Sequence, residues 1–116
     1  MVQQGQRTKT GRRSYPAVVR TTINSIALGY KPAQIWVHGS FARGDFHDGS
    51  DLDLIIVKET DRRFADRIEE VLQYVPGGIA VEPLVYTQRE VEAMLAERNT
   101  FLEHVFSEGR LVYEQQ

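Results

Sequence analysis

The sequence predicts an α+β domain of the layered α/β type, with a small mixed β-sheet flanked by helices. Short apolar runs rich in β-branched residues alternate along the chain with longer stretches of helical periodicity. The predicted order is helix, strand, helix, strand, helix, strand, helix. That order is typical of a single domain in which helices cover a sheet.

Length and composition limit the possible classes of protein. The chain has 116 residues, of which 41% are hydrophobic and 26% charged, as expected for one ordinary globular domain. It has no cysteine, which excludes disulfides and thiolate metal sites. No apolar run approaches the roughly 20 residues that a membrane-spanning helix needs, and no secretory signal is visible. We therefore expect a cytoplasmic protein without membrane contact.

Charge is distributed unevenly along the chain. Residues 1–14 contain Arg7, Lys9, Arg12 and Arg13 and no acid, whereas the net charge of the whole chain is −2. We expect residues 1–14 to form a disordered basic leader and residues 15–116 to form the folded domain. A nucleic-acid contact by the leader is the alternative, and the acidic remainder of the chain disfavours it.

The first half of the domain is predicted to contain one helix and two strands. Pro16 suits a first helical turn, and apolar residues then recur at helical spacing to about Leu28, with Gly29 as the predicted stop. The apolar segments at residues 34–38 and 52–57 are predicted to be strands.

The second half follows the same alternation. Asp61 is the predicted cap of a helix over residues 62–74, and residues 79–86 form the third predicted strand. Pro83 favours an edge position for that strand, because proline cannot donate to a ladder. Thr87 and Glu90 form a capping-box pattern at the start of another helix. A short helix at residues 101–106 and a last strand at residues 110–114 complete the prediction.

The side chains that give these helices their apolar faces are also predicted. For the helix over residues 62–74 they are Phe64, Ile68, Val71 and Leu72. For the helix after Thr87 they are Val91, Met94 and Leu95.

A glycine turn follows the first strand directly. If a helix begins near Ser40, its free N–H groups attract phosphate, and Gly39 allows an anion to approach the backbone. Ser40 can add a hydroxyl donor and Arg43 a charged fork. An ordinary strand-to-helix turn is the alternative. A P-loop is excluded, because Asp45 and Phe46 stand where it needs Lys and Ser or Thr.

Two carboxylates stand at the start of the second strand at a spacing of two. Because the strand period is two, Asp51 and Asp53 should share one face while Leu52 enters the core. Ile55 should continue the face of the aspartates, and Glu82 can reach the same place if the third strand neighbours the second. Carboxylate oxygens suit Mg²⁺, and such a pair can bridge two ions. A solvent-exposed pair is the alternative.

Other polar residues do not form recognisable metal sites. Asp45 and Asp48 lie in a glycine-containing loop and are expected to form turns or face water. The spacing around them does not fit an EF-hand. The histidines show no zinc-ligand spacing and are expected to be structural or at the surface: His38, His47 and His104.

Taken together, these motifs resemble a known family. The stretch "GSFARGDFHDGSDLDL", residues 39–54, resembles the signature of the polymerase-β-like nucleotidyltransferase superfamily, which combines Gly-Ser with a later Asp-x-Asp pair. The fuller match looks like the minimal nucleotidyltransferases (MNT) of bacteria and archaea, and "VEPLVYT" is similar to their third strand. The resemblance covers about residues 33–114.

The resemblance implies a nucleotidyltransferase-type fold and an assignment of roles. Gly39 and Ser40 would hold the outer phosphates of ATP or another nucleoside triphosphate. Asp51 and Asp53 would hold Mg²⁺, with two ions expected. The third family carboxylate falls on Glu82, which would also contact metal and align the acceptor hydroxyl. The family usually has Asp there, so Glu82 followed by Pro83 is a departure that weakens the expectation of full activity.

The resemblance also implies a partner protein. Many minimal members are encoded beside a small helical HEPN-type toxin and act as its antitoxin, some by adding AMP to it. We therefore expect transfer of AMP to a hydroxyl of such a partner. The alternative is a catalytically weak antitoxin that acts by complex formation alone. A homodimer is compatible with the sequence, which leaves the acceptor and the nucleotide preference open.

Overall fold

The computed structural model describes residues 15–116, which form one four-stranded sheet with five helices. The predicted disordered basic leader, residues 1–14, lies outside the described residues. The elements in chain order are α1 (Ala17–Tyr30), β1 (Gln34–His38), α2 (Ser40–Arg43), β2 (Leu52–Val57), α3 (Phe64–Leu72), β3 (Val81–Tyr86), α4 (Gln88–Ala96), α5 (Thr100–Glu108) and β4 (Arg110–Glu114). No helix in this part of the chain has the length and apolar character to span a membrane.

The sheet is mixed, as the sequence predicts. Its strand order is β3-β2-β1-β4, with β1 antiparallel to both β2 and β4 and β2 parallel to β3. The predicted α+β class with a small mixed sheet flanked by helices is therefore confirmed. β3 is an edge strand, which agrees with the expectation from Pro83.

The two faces of β2 enter different cores, because side chains alternate along a strand. Leu52, Leu54 and Ile56 are fully buried in the larger core, which includes α1 and the short α2. Ile55 points to the opposite face, where it packs with Leu102 and Val105 of α5. The prediction that Ile55 and Leu52 lie on opposite faces of the sheet is confirmed.

The first helix ends two residues later than predicted. Gly29 lies inside α1, and the cap is Lys31 in the left-handed conformation, with φ of 58°. A β-carbon on Gly29 would lie 2.2 Å from the Tyr74 ring. Gly29 is therefore explained by the close approach of Tyr74, a contact between distant segments that a local stop signal does not reveal.

The helix α3 is shorter than predicted and has a different cap. It begins at Phe64 after Arg63, and Asp61 does not cap it. Phe64 and Leu72, predicted to lie on its buried face, are 40% and 41% exposed. Val71 is buried as expected, and the other buried residue of α3 is Arg67, because its guanidinium has a partner on α4.

Each remaining element is the type, helix or strand, that the sequence predicts. The capping box is present, since the Glu90 N–H donates to the Thr87 hydroxyl and the Thr87 N–H donates to the Glu90 carboxylate. Val91 is buried, and Met94 and Leu95 pack on the smaller core. The fifth helix is longer than predicted, and the last strand occupies the predicted residues.

Candidate functional site

Pairing of three adjacent strands brings polar side chains together at one end of the sheet. In the register of β1 and β2, His38 is opposite Asp53. In the parallel register of β2 and β3, Asp53 is opposite Glu82. Register partners share a face of the sheet, so these side chains lie in a row on the face that α5 covers further along. Asp51 lies just before β2, two residues from Asp53.

Glu82 lies beside both aspartates and forms with them a carboxylate trio, Asp51, Asp53 and Glu82. The pKa of Glu82 is raised, first because its carboxyl shares a hydrogen bond with Asp51, and then because of the negative charges of Asp51 and Asp53. Like charges at close range disfavour a third ionised group. The expectation that Glu82 reaches the aspartates therefore holds geometrically, while the catalytic and metal-binding roles of the trio stay predictions.

The carboxylate oxygens of the trio are the type of ligand that divalent cations such as Mg²⁺ bind. All three groups offer carboxylate oxygens, which hard cations prefer. Within residues 15–116, no group of three His, Cys, Asp or Glu side chains is arranged to hold a metal ion. Mg²⁺ needs only one or two protein carboxylates when substrate phosphates and water complete its shell, so the prediction that Asp51 and Asp53 hold it does not require a third ligand.

Gly39 separates the first strand from the short helix α2 and touches the trio. Its backbone has φ of 72° and ψ of −150°, a region that favours glycine. A β-carbon there would lie 2.4 Å from Oδ2 of Asp53, closer than any real contact. Helix α2 begins at Ser40, as the sequence predicts, with Gly39 as its N-cap. The glycine therefore allows the turn and the Asp53 carboxylate to occupy the same small space.

Arg43 is the last residue of α2. Its guanidinium forms an ion pair with Asp45 at 3.2 Å, and both side chains are largely exposed. The contribution of Arg43 to nucleotide binding stays a prediction. Asp45 and Asp48 are exposed in the loop, as expected.

His38 is the residue near the site that sequence reasoning missed. It was expected to be structural or at the surface, and it is a half-buried residue whose register partner is Asp53. Its ring packs edge-on against Phe101, with centroids 5.6 Å apart. Burial lowers the pKa of His38, and the charge of Asp53 opposes that effect. The only signal in the sequence was its place immediately before Gly39.

Comparisons with known proteins identify the family of the chain. The model of the family "Polymerase beta, Nucleotidyltransferase" matches residues 21–116. The comparison with curated proteins returns no match.

Among solved structures, a similar one comes from Sulfolobus solfataricus, and its description presents it as an inferred nucleotidyltransferase. It is 19% identical and covers 88% of this chain and 91% of its own, with a TM-score of 0.49. Because the family model spans most of the chain, including the Gly39–Ser40 turn and the carboxylate trio, this protein belongs to the polymerase beta nucleotidyltransferase family.

Proposed function

We propose that this protein is a Mg²⁺-dependent nucleotidyltransferase of the cytoplasm that transfers AMP from ATP to a hydroxyl group of a partner protein. The observation that carries the proposal is the position of Glu82 beside Asp51 and Asp53, with Asp53 packed against the Gly39–Ser40 turn. Membership of the nucleotidyltransferase family supports nucleotidyl transfer in general. Domains of this family generally use a nucleoside triphosphate and a divalent metal ion.

Different residues of the chain would have different roles in the transfer. Asp51 and Asp53 would hold Mg²⁺, which when bound neutralises charge on the triphosphate. Ser40 would donate its hydroxyl to an outer phosphate. Glu82 would accept the proton of the acceptor hydroxyl, a role that suits a carboxylate with a raised pKa. The acceptor oxygen then bonds to the α-phosphorus, and the bond to the pyrophosphate leaving group breaks.

The proposed partner is a small helical HEPN-type protein, with this chain as its antitoxin. The support is the MNT-like motif at residues 39–54 together with the size of the domain. The described residues form a single sheet with its helices, leaving no second domain among them to bind an acceptor. A partner that supplies the acceptor hydroxyl is consistent with that architecture. A homodimer in addition is compatible with the proposal.

Nucleotide binding provides the first test. Melting curves would be recorded for wild type, for Asp51→Asn/Asp53→Asn and for Asp48→Asn, with Mg²⁺ alone and with Mg²⁺ and ATP. A nucleotide at about 100 times its Kd adds roughly 2.7 kcal/mol, a clear shift in Tm for a domain of this size. We expect the shift in wild type and in the Asp48 control, and its loss in the double variant. Equal shifts in all three proteins would contradict the proposed site.

Isotopic labelling then tests the transfer itself. The protein would be incubated with a small helical HEPN-type protein, the proposed partner, and with ATP labelled at the α- or the γ-phosphate. AMP transfer predicts label on the partner from α-labelled ATP only, and its loss in Asp51→Asn/Asp53→Asn. Label from the γ-position would instead indicate phosphoryl transfer and would contradict the proposed reaction.

A second candidate is a catalytically weak antitoxin that acts by forming a complex. It is favoured by the exposed position of Glu82, by the proline that follows it and by the lack of a three-ligand metal group within residues 15–116. Growth rescue in cells that express the partner separates the two candidates. If Asp51→Asn/Asp53→Asn rescues growth as well as wild type, complex formation is sufficient. If rescue is lost while co-purification persists, transfer is required.

A further inference from the structure

An exposed phenylalanine stands beside the row of polar side chains at the end of the sheet. Phe101, near the start of α5, is 42% exposed, and its ring packs edge-on against His38 with centroids 5.6 Å apart. His38 is the register partner of Asp53, and register partners share a face of the sheet with β-carbons about 5 Å apart. Through His38, an exposed aromatic ring therefore lies next to the row that contains Asp53.

The exposure of Phe101 contrasts with the burial of the apolar residues that follow it on α5. Leu102 and Val105 are fully buried in the smaller core, and Phe106 packs against that core. An edge-on contact covers at most one face of a ring, so the contact with His38 leaves much of the Phe101 ring open to solvent. Aromatic surface beside a few polar groups is typical of a small-molecule site.

This position suits the base of a nucleotide. In a nucleoside triphosphate the ribose separates the base from the α-phosphate, so the base lies one sugar away from phosphates that Asp51 and Asp53 would bind through Mg²⁺. An aromatic ring at that distance is a stacking partner for the base. Stacking needs only the flat face of a base, so the ring would accept any base, and the larger purines would overlap with it most.

We propose that Phe101 is the stacking platform for the base of the bound nucleoside triphosphate, with His38 holding the Phe101 ring beside the site. This inference rests on the nucleotide binding in the proposed function and adds the residue that contacts the base. It assigns Phe101 to binding and gives it no part in the transfer step. It can therefore be tested without a partner protein or an acceptor hydroxyl.

Binding of two probes separates the base from the phosphates. ATP carries a base, whereas inorganic tripolyphosphate carries only the phosphate chain. Titration calorimetry with Mg²⁺ would give the Kd of each probe for the full-length wild type and for each variant. We expect Phe101→Leu to weaken ATP binding about tenfold, within the range known for base–aromatic stacking, and to change tripolyphosphate binding by less than about twofold.

Two further variants serve as controls. Phe101→Leu keeps an apolar side chain against His38 but removes the ring, and Phe101→Trp restores a ring, so the tryptophan variant should bind ATP at least as tightly as wild type. Phe64→Leu is the matched control, because Phe64 is 40% exposed and its ring packs on Tyr86, four residues further along β3 than Glu82. It should leave the Kd of both probes unchanged.

The results distinguish failure of this inference from failure of the proposed function. If wild type binds neither probe, both are wrong. If wild type binds both probes and Phe101→Leu weakens ATP binding no more than Phe64→Leu does, the protein binds nucleotide and Phe101 takes no part in it. If Phe101→Leu weakens ATP and tripolyphosphate equally, the ring supports the phosphate site and does not stack on the base.

Discussion

At the scale of single residues, the missing β-carbon of Gly39 is the tightest constraint at the candidate site. The turn has φ of 72°, and a β-carbon would collide with Oδ2 of Asp53 at 2.4 Å. Two separate penalties therefore apply to any substitution. One is the backbone strain of the left-handed region, and the other is displacement of a carboxylate that belongs to the trio.

We predict that Gly39→Ala lowers the free energy of unfolding by about 1–2 kcal/mol and reduces nucleotidyl transfer about 100-fold. Chemical denaturation and the labelling assay measure the two effects. Gly44→Ala is the matched control, because Gly44 has φ of 88° but no atom within 4 Å of its added β-carbon. It should show the strain without the loss of transfer. Equal losses of transfer would mean that the contact with Asp53 is irrelevant.

Glu82 allows a prediction about pH. Its pKa is raised by the shared hydrogen bond with Asp51 and by the charges of both aspartates. The folded state therefore holds a proton more tightly than the unfolded state, and stability falls as pH rises from the ordinary glutamate pKa through the raised one.

We predict that Glu82→Gln melts at a higher temperature than wild type at pH 7 without divalent cations, because it removes that repulsion. The difference should shrink as pH falls below the ordinary glutamate pKa of roughly 4.3. Melting curves at several pH values test this, with the exposed Glu69→Gln of α3 as control. A constant difference across the pH range would contradict the assignment to Glu82 titration.

At the scale of elements, a buried arginine connects α3, β3 and α4. Arg67 is 6% exposed and donates to both oxygens of Glu90, at 2.7 and 3.1 Å, and to the backbone oxygen of Val85. Glu90 also closes the capping box of α4. The hydrogen bond from Arg67 lowers the pKa of Glu90. This interaction fixes two helices against the strand that carries Glu82.

We predict that Arg67→Ala lowers the free energy of unfolding by about 2–3 kcal/mol, because Glu90 and the Val85 carbonyl lose their donor. Urea denaturation at pH 7 measures the loss. Arg63→Ala, on the same helix, removes an exposed ion pair with Asp66 and should change stability by less than about 0.5 kcal/mol.

The loss of unfolding free energy caused by Arg67→Ala should also depend on pH. The pKa of Glu90 is lower in the folded protein than in the unfolded chain. Its ion pair therefore contributes fully to the free energy of unfolding above the ordinary glutamate pKa, and this contribution disappears as pH falls through the lowered pKa of the folded state. The cost of Arg67→Ala should therefore decrease in acid. A cost that is independent of pH would indicate lost packing rather than a lost ion pair.

At the scale of the whole molecule, the sheet separates two cores of unequal size. The larger core contains most buried residues, whereas the smaller one has Ile55, Leu102 and Val105 at its centre. The smaller core attaches α5 to the face of the sheet on which Asp53 and Glu82 lie. One edge of the sheet is interrupted by Pro83 in β3, and the pairing of β4 with β1 contains a register irregularity at Ile35 and Trp36.

We predict that Leu102→Ala costs about 3 kcal/mol of unfolding free energy, because it leaves a cavity in the smaller core. Leu28→Ala, at a site that is 76% exposed, should change stability by less than about 0.5 kcal/mol. Denaturation midpoints compare the two. Similar costs would mean that α5 is held to the sheet by other contacts.

Local patterns in the sequence were sufficient for the fold class, for most helices and strands and for the candidate turn and aspartate pair. Alternation along β2 and the capping box at Thr87 depend on neighbours in the chain, so they could be predicted from spacing alone. The boundaries of α1 and α3 could not, because Gly29 responds to Tyr74 and Arg67 to Glu90, residues far away in sequence.

The sequence by itself therefore determined which residues are candidates for the chemistry, and the tertiary structure decided which of them meet. The registers that set His38 and Glu82 on either side of Asp53 arise from the packing of whole strands. The contact of Phe101 with His38 and the ion pair that draws Arg43 to Asp45 likewise belong to the folded chain. Contacts of this kind depend on the free energy gained when distant segments pack into one core, and a short stretch of sequence cannot predict that packing.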